Sequence, residues 1–285
     1  EKISKKYNFT IDLIGFHGQT IFHNSALKVS KQLGDGMLLS QFTKKLVISN
    51  FRNNDLKNGG QGAPLTPIFH ELISKLIKIS YKISYPVNII NIGGIANITQ
   101  IFEDQKSKNI YLKACDIGPG NCLIDEWIRK NSNKKFDDNG SIAKNGKVDH
   151  LIFNQAIDNF SNYSYENSMD VKDFDPSFVK GLSMEDGCAT LTKFTAYLIS
   201  QGIKYINNLN NQNPKINLIC GGGRKNDTLI KEVNNYFEDK EIKFEKIDKY
   251  GFNGDFIESQ AFAFLAIKTF LNLPISFPST TGCKK

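Results

Sequence analysis

Apolar runs alternate with segments of helical periodicity along most of this chain. Between residues 65 and 79 apolar side chains recur at helical spacing, as at Ile68, Leu72 and Leu76, and Pro67 suits a helix start. Other stretches are apolar or alternate between apolar and polar residues, which is typical of strands. These strands are predicted at 9–16, 46–49, 87–91, 95–102, 110–115, 215–220 and 242–247.

Further helices are predicted between these strands. They lie after residue 36, at 120–131, at 186–202, after residue 227 and at 256–271. Gly202 is expected to end the third of these helices, since glycine commonly follows a helix C-terminus. Residues 131–150 and 161–180 are polar and loop-rich. Strands that alternate with helices indicate an α/β protein, here in two lobes.

Tyr85-Pro86 is predicted to mark the boundary between two domains. The expected division is 1–85 as the first lobe and 86–285 as the second, with the C-terminal helix packing back toward the first lobe. The two segments together make 285 residues, which is enough for one large domain or two moderate ones.

Charge and composition exclude some classes of function. The 36 basic and 29 acidic residues give a net charge of +7, and the lysines are scattered with no block of like charge. Such scattering is more typical of a solvated surface than of a nucleic-acid site, although it can attract anionic substrates. The longest apolar helix candidate, 261–271, is too short to span a bilayer. We therefore expect neither a nucleic-acid nor a membrane partner.

The cysteines and histidines form no recognisable metal or disulfide pattern. The five cysteines include no CxxC pair, which indicates reduced thiols in a cytoplasmic protein. The four histidines have no HExxH spacing, so no metal ligand is assigned.

Residues 87–126 carry the strongest candidate chemistry. Two strand-like runs end in glycine turns, one with Gly93-Gly94 and Asn97 beyond it, the other with Asp116-Ile-Gly-Pro-Gly-Asn. Glycine turns before a helix start can bind an anion, and Asp116 can serve as a general base. Spacing alone equally fits two ordinary turns, with Asp116 as a turn or capping residue.

Three other sites have similarly open interpretations. His17-Gly18-Gln19-Thr20 ends a strand and can orient substrate hydroxyls or form a plain turn. Gly221-Gly222-Gly223 lies between a strand and a helix, but it matches neither the dinucleotide-binding nor the P-loop motif. Glu258 opens an apolar helix, where a carboxylate either interacts with the helix dipole or accepts a hydrogen bond from a sugar hydroxyl.

The order of these motifs resembles that of the anhydro-N-acetylmuramic acid kinase family. The resemblance covers nearly the whole chain. Its blocks are HGQT (17–20), GGQGAPLTPIFH (59–70), NIGGIANIT (91–99), DIGPGN (116–121), LSMEDGCATLTKFTA (182–196), CGGGRKN (220–226) and ESQAFAFLAIKTFLNLPISFPSTTG (258–282).

The resemblance implies a fold and a reaction. The fold would be the two-lobe sugar kinase/Hsp70/actin type, with a ribonuclease H-like core. The reaction would be ATP-dependent hydrolytic opening of the 1,6-anhydro ring with phosphorylation of O6, giving N-acetylmuramic acid 6-phosphate and ADP in peptidoglycan recycling. Mg²⁺ would accompany the ATP, and the protein would be a cytoplasmic enzyme that can form a homodimer.

The resemblance also assigns roles to individual residues. Asp116 would be the catalytic base that activates water. The sugar would be bound near His17, Gly18, Gln19 and Glu258. ATP would be bound by Gly93, Gly94, Asn97, Gly118, Gly120, Asn121, Gly221, Gly222, Gly223 and Asn226. Gly93-Gly94 and residues 118–121 would face the phosphates, and residues 221–226 the nucleoside.

Two departures from the family pattern leave alternatives open. A Gly-Thr-Ser-x-Asp-Gly phosphate turn is expected near the N-terminus and does not occur, so the first lobe is expected to be incomplete in this chain, which starts at Glu1. Asn50 also stands where the family commonly has Asp. The alternatives are another sugar kinase of the same superfamily, or a non-catalytic remnant that binds sugar or a partner.

Overall fold

The computed structural model describes residues 10–104, 106–160 and 164–284, and it divides into two compact units. The first unit contains the chain up to His70 together with the segment from Glu258 onward. The second unit is the continuous segment Glu71–Ile257. The domain division predicted at residues 85 and 86 stays a prediction.

The first unit contains two small sheets and several helices. Its elements are β1 Leu13–Phe16, β2 Gln19–Asn24, β3 Val29–Leu33, α1 Gly36–Thr43, β4 Leu46–Ser49, α2 Phe51–Lys57, the start of α3 Pro67–Tyr81, most of α9 Ile257–Phe270, and α10 Pro278–Thr281. Strand β1 pairs with β4 in parallel, and β2 pairs with β3 as an antiparallel hairpin. Asp35 caps α1 by accepting from the N–H groups of Met37 and Leu38.

A buried carboxylate ties α2 of the first unit to the C-terminal segment. Asp55 is 3% exposed and accepts hydrogen bonds from the Gly62 N–H at 2.6 Å, Ser276 Oγ at 2.5 Å and Thr281 Oγ1 at 2.6 Å. Three charge-assisted bonds compensate for the burial of this carboxylate. They hold residues far apart in the sequence in one compact unit.

The second unit is built on a five-stranded mixed sheet in the order β7-β6-β5-β8-β9. Its strands are β5 Val87–Ile92, β6 Ile95–Glu103, β7 Ile110–Pro119, β8 Ile216–Cys220 and β9 Lys243–Lys246. The helices are α4 Cys122–Asn131, α5 Ser141–Asn145, α6 His150–Phe160, α7 Met184–Leu209 and α8 Asp227–Asn234. Strand β6 is antiparallel to β5 and β7, whereas β8 is parallel to β5 and β9.

One face of this sheet packs against α7 and α8. Alternate residues of the strands, such as Ile90, Ile98 and Ile219, are fully buried against Ile199 of α7 and Leu229 of α8. Because side chains alternate along a strand, the residues between them point to the opposite face. A second core cluster joins α4, α5 and α6 to the N-terminal half of α7.

Gly202 lies inside α7 rather than at its end, so the predicted helix stop was wrong. A Cβ at residue 202 would lie 2.3 Å from the Cβ of Ile117 on β7. The glycine therefore allows close packing of helix against sheet, which can outweigh its cost within a helix.

A buried network of amide side chains crosses the sheet at the end away from its glycine turns. Asn88 of β5 donates to Asn217 of β8 at 2.9 Å, and Gln100 of β6 donates to Asn88 at 3.2 Å. Gln100 also donates to Asn207 of α7 at 2.8 Å and accepts from Asn210 at 2.7 Å. These bonds join three strands and one helix through groups that would be costly to bury unpaired.

The α/β fold class is confirmed, and each of the seven predicted strands has a counterpart, although the first begins only at Leu13. The β2–β3 hairpin and helices α2, α5, α6 and α10 were not predicted, and α5 lies within 131–150, a region predicted to be loop-rich. The five cysteines, all within the described residues, carry free thiols. None of the helices in the described part of the chain has the length and apolar content needed to cross a membrane.

Candidate functional site

Three glycine turns of the second unit lie at one edge of its sheet. Strands β5, β7 and β8 run in the same direction, so their carboxyl ends meet at this edge. Gly93-Gly94 follows β5, Gly118-Pro119-Gly120 ends β7, and Gly221-Gly222-Gly223 follows β8. Ligands of open α/β sheets bind outside the carboxyl ends of the strands. The structure thus brings together the three turns that the sequence singled out.

The first two turns are joined by backbone hydrogen bonds. The carbonyl of Gly93 accepts from the Asn121 N–H at 2.7 Å, and that of Gly94 accepts from the N–H groups of Gly120 at 2.8 Å and Cys122 at 3.2 Å. A Cβ at residue 120 would lie 2.2 Å from the Gly93 oxygen, so this close approach requires glycine. These three N–H groups therefore bond within the protein, and the exposed Gly94 remains at the surface.

The third turn packs against the first. A Cβ at Gly221 would lie 2.4 Å from Asn91 Oδ1, and one at Gly223 would lie 2.2 Å from Ile92 Cγ2. Gly222 is exposed, and a Cβ there would meet none of the described atoms within 4 Å. Asn226 is buried and caps α8 by accepting from the Leu229 N–H at 2.9 Å. Gly222 is thus the position in this turn with room for a ligand.

A buried arginine fixes the shape of the third turn. Arg224 donates to both carboxylate oxygens of Asp248, at 2.7 and 3.1 Å, and to Asp255 at 2.7 Å. Its Nη1 also donates to the Gly221 carbonyl at 2.9 Å. These hydrogen bonds raise the pKa of Arg224 and lower the pKa values of both carboxyl groups. Bidentate pairing of this kind is geometrically specific, so the turn is well defined before any ligand binds.

Asp116 lies on β7 directly before a β-bulge. It pairs with Asn97 of β6, while Gly118 pairs with Ala96, so Ile117 is the extra residue. Asp116 is half-buried, and its Oδ2 accepts from the Met169 N–H at 2.9 Å. Bulges often re-aim side chains next to active sites. This one places Ile117 against α7 and Asp116 on the opposite face of the sheet.

The neighbouring thiol does not compete with this carboxylate. Burial, and to a smaller extent the charge of Asp116, raise the pKa of Cys115 to about 12. The thiol therefore stays protonated at neutral pH and is a poor nucleophile.

Asp125 is a candidate that the sequence interpretation missed. It lies in the first turn of α4, one helical turn after Asn121. Burial and the nearby Asp137 raise its pKa to about 6, whereas Arg129 acts to lower it. A carboxyl group with a raised pKa close to glycine turns is a typical functional-site feature. The only sequence signal was its spacing of four residues from Asn121.

In the first unit, His17 is held by an arginine that was not predicted. Arg52 donates from Nε to His17 Nε2 at 3.1 Å and from Nη1 to the Gly62 carbonyl at 2.8 Å. His17 Nδ1 faces the Gly18 carbonyl at 2.7 Å, and its ring packs against Phe262 at a tilt of 33°, with centroids 4.1 Å apart. Burial first, and the Arg52 charge second, lower the pKa of His17 to about 4. The ring is therefore neutral at pH 7.

The other predicted sugar residues lie in the same unit. Gly18 has a φ of +74°, and a Cβ there would lie 2.2 Å from the Leu33 carbonyl oxygen, so the turn requires glycine. Gln19 and Glu258 are exposed, and Glu258 lies in the first turn of α9. Their sugar-binding roles stay predictions.

A cavity in the first unit lies apart from the predicted residues. Its volume is about 830 Å³, and it is lined by the start of α2 and by residues 272–278, with Asn54, Asp55 and Lys284 among its walls. The predicted site residues of this unit do not line it in the described part of the chain. Across residues 10–104, 106–160 and 164–284, no three His, Cys, Asp or Glu side chains group as metal ligands.

Comparison with known proteins adds a family match. A sequence model of the family described as anhydro-N-acetylmuramic acid kinase matches residues 4–285. A relative of that name from Pelagibacter ubique is 52% identical over 288 residues, covering 100% of this chain and 74% of its own. One from Zymomonas mobilis is 39% identical over 276 residues, covering 96% and 71%.

Similarity to solved structures is weak. Gluconate kinase from Lactobacillus acidophilus aligns with a TM-score of 0.41 and 14% identity, covering 75% of this chain and 44% of its own. A score below 0.5 assigns no function.

Proposed function

The chain belongs to the anhydro-N-acetylmuramic acid kinase family, and we propose that it catalyses the reaction expected from its motifs. Water opens the 1,6-anhydro ring of anhydro-N-acetylmuramic acid, and O6 receives the γ-phosphoryl group of ATP. The products are N-acetylmuramic acid 6-phosphate and ADP, as required for peptidoglycan recycling.

We assign the role of general base to Asp116, and its geometry is the observation that carries this proposal. The bulge at Ile117 and the Met169 N–H together orient the carboxylate on one face of the sheet, beside the glycine turns. A positioned carboxylate can take the proton of water as the new C–O bond forms, an effect of about 10²–10⁴-fold on rate.

ATP is proposed to bind at the three glycine turns, with Mg²⁺ bound to its phosphates as part of the substrate. Gly93 and Gly94 would face the phosphates. Gly118, Gly120 and Asn121 would support this turn, since the last two donate their N–H groups to its carbonyls. On the nucleoside side, the exposed Gly222 would contact the ligand, while Gly221, Gly223 and Asn226 hold the turn in shape.

The sugar is proposed to contact residues of the first unit. Gly18 shapes the turn after β1, and Gln19 and Glu258 offer exposed polar groups. His17 has both ring nitrogens within hydrogen-bond distance of protein atoms, so it would position this turn through Arg52 and Phe262. A cytoplasmic location and a homodimer are proposed from the family resemblance alone, and sedimentation would test the dimer.

A coupled ADP-release assay tests the reaction. Mg-ATP and the anhydro sugar should give sugar-dependent turnover, and Asp116→Asn should lower kcat by about 10²–10⁴-fold while the protein still folds. Glu238→Gln is the matched control, because Glu238 is an exposed carboxylate of the same unit. Absence of sugar-dependent ADP release from the wild type would exclude the reaction, and full activity of Asp116→Asn would exclude the base.

A further inference from the structure

Asn97 has a buried acceptor atom without a partner. Its Oδ1 is shielded from solvent and has no hydrogen-bond partner among the described residues. A buried polar group left unpaired costs on the order of 1–3 kcal/mol. Native proteins pair such groups, and the exceptions commonly indicate an ordered water or a catalytic role. The side chain of Asn97 therefore indicates a missing donor close by.

The strand register places this acceptor beside the proposed base. Asn97 of β6 and Asp116 of β7 are directly opposed residues of an antiparallel pair. Side chains of opposed residues project from the same face, with Cβ atoms about 4.5–5.5 Å apart. A water molecule that contacts both side chains fits this separation, since each hydrogen bond to water spans about 2.7–2.8 Å.

Asp116, Asn97 and Asn91 lie side by side on adjacent strands, and the other two side chains of this row already form hydrogen bonds. Asn91 of β5, opposed to Asn97 on the other side, accepts from Cys220 Sγ at 3.8 Å, and its Oδ1 lies against Gly221. Asp116 is oriented by the Met169 N–H. Within the row of Asp116, Asn97 and Asn91, the unpaired acceptor thus belongs to Asn97.

We propose that Asn97 is a positioning residue that holds the attacking water against Asp116. Its Oδ1 accepts one hydrogen of the water, while the carboxylate accepts the other. As the water oxygen bonds to C1 of the sugar, the C1–O6 bond breaks and the water proton passes to Asp116. O6 then bonds to the γ-phosphorus as the bond to the ADP oxygen breaks. This inference rests on the proposed function, and it gives Asn97 a role other than ATP binding.

Asn97→Ala separates these roles by kinetics and binding. We expect kcat at saturating sugar and Mg-ATP to fall roughly 10- to 100-fold, because a misplaced nucleophile reacts slowly. Stabilisation of the protein by Mg-ATP in thermal unfolding should stay at the wild-type level. Glu103→Gln, at the other end of β6, is the control and should retain full kcat. If kcat is unchanged and Mg-ATP stabilises the variant less than the wild type, Asn97 binds ATP instead, and the proposal is overturned.

Asn97→Asp decides the question if the alanine variant does not fold. The substitution keeps the shape and adds a carboxylate next to Asp116, and two adjacent carboxylates cannot both ionise easily. The acidic limb of the kcat/KM pH profile should move to higher pH by about one unit or more. An unmoved profile would overturn the proposal. If the wild type releases no ADP with the anhydro sugar, the proposed function itself fails, and that outcome is distinct from both variant results.

Discussion

Arg52 donates a hydrogen bond from Nε to Nε2 of His17 at 3.1 Å, and this bond fixes the protonation state of the ring. Because Nε2 accepts, the proton of the neutral ring lies on Nδ1, which faces the Gly18 carbonyl at 2.7 Å. A proton on Nε2 would break the bond and place a second positive charge beside Arg52. The pair is therefore suited to holding the Gly18 turn rather than to proton transfer.

Replacing Arg52 should raise the pKa of His17. In Arg52→Gln the Arg52 charge is lost, so we expect the pKa to rise from about 4 but to stay below 6.5, since burial is the larger cause. NMR titration of the His17 ring proton measures this value, with His17→Gln to assign the signal. Lys57→Gln, an exposed cation of α2, should leave it unchanged.

The same pKa shift has a consequence for stability. The folded chain binds a proton at His17 less tightly than the unfolded chain does. The neutral His17 therefore contributes fully to the free energy of unfolding above pH 6.5, and this contribution is lost as the pH falls toward 4. A wild-type His17 that titrates near pH 6.5 would contradict the arrangement.

Gly222 and Gly223 should respond oppositely to alanine. Gly223→Ala would place a Cβ 2.2 Å from Ile92 Cγ2, and overpacking of this kind typically costs about 1–3 kcal/mol of unfolding free energy. Gly222→Ala meets no described atom within 4 Å and should fold normally, but it should reduce the thermal stabilisation given by Mg-ATP. Denaturant unfolding and thermal shifts measure the two effects. If Gly222→Ala binds Mg-ATP like the wild type, the nucleoside does not contact this turn.

Asp125→Asn should stabilise the protein at neutral pH. The folded state raises the pKa of this carboxyl from 3.8 to about 6, so stability is lost as the pH rises through this range. Above pH 6 the substitution should raise the free energy of unfolding by about 1 kcal/mol. The gain is small because solvent screens the half-exposed carboxyl group. The gain should shrink at pH 5.

Glu126→Gln is the control for this prediction. Glu126 precedes Trp127 in the same helix and forms an exposed pair with Lys130, so its loss should change stability by less than about 0.5 kcal/mol at either pH. Equal effects of the Asp125 and Glu126 substitutions would show that Asp125 is not under electrostatic strain.

The patterns of apolar residues predicted the α/β class and the strands of the larger sheet because β5, β6, β7 and β8 are rich in buried apolar residues and have clear boundaries. The edge strand β9 is shorter, and none of its residues is buried. The β2–β3 hairpin was missed since its strand residues are mixed in character and none of them is buried. The helix end predicted at Gly202 was wrong because a glycine within a helix and a glycine after a helix look the same in the sequence. Only the contact with Ile117 separates the two cases.

The candidate site was partly predictable. The glycine turns and Asp116 could be identified because each comes at the end of an apolar run in the sequence. The contacts between these turns could not be predicted, because the contacts depend on the strand order and on the bulge at Ile117, which shifts the register of β7 by one residue. For the same reason, neither the pairing of Asn97 with Asp116 nor that of Arg52 with His17 could be read from spacing.

The buried amides at the far end of the sheet also bear on the reaction. Gln100 and Asn97 lie on the same strand, three residues apart, and project from opposite faces. A slip of β6 by one residue would separate Gln100 from Asn88 and turn Asn97 away from Asp116 at the same time. Selection for activity would therefore extend to Asn88, Gln100 and Asn217, which no substrate touches under this proposal, because they keep the strand in the alignment that the reaction needs.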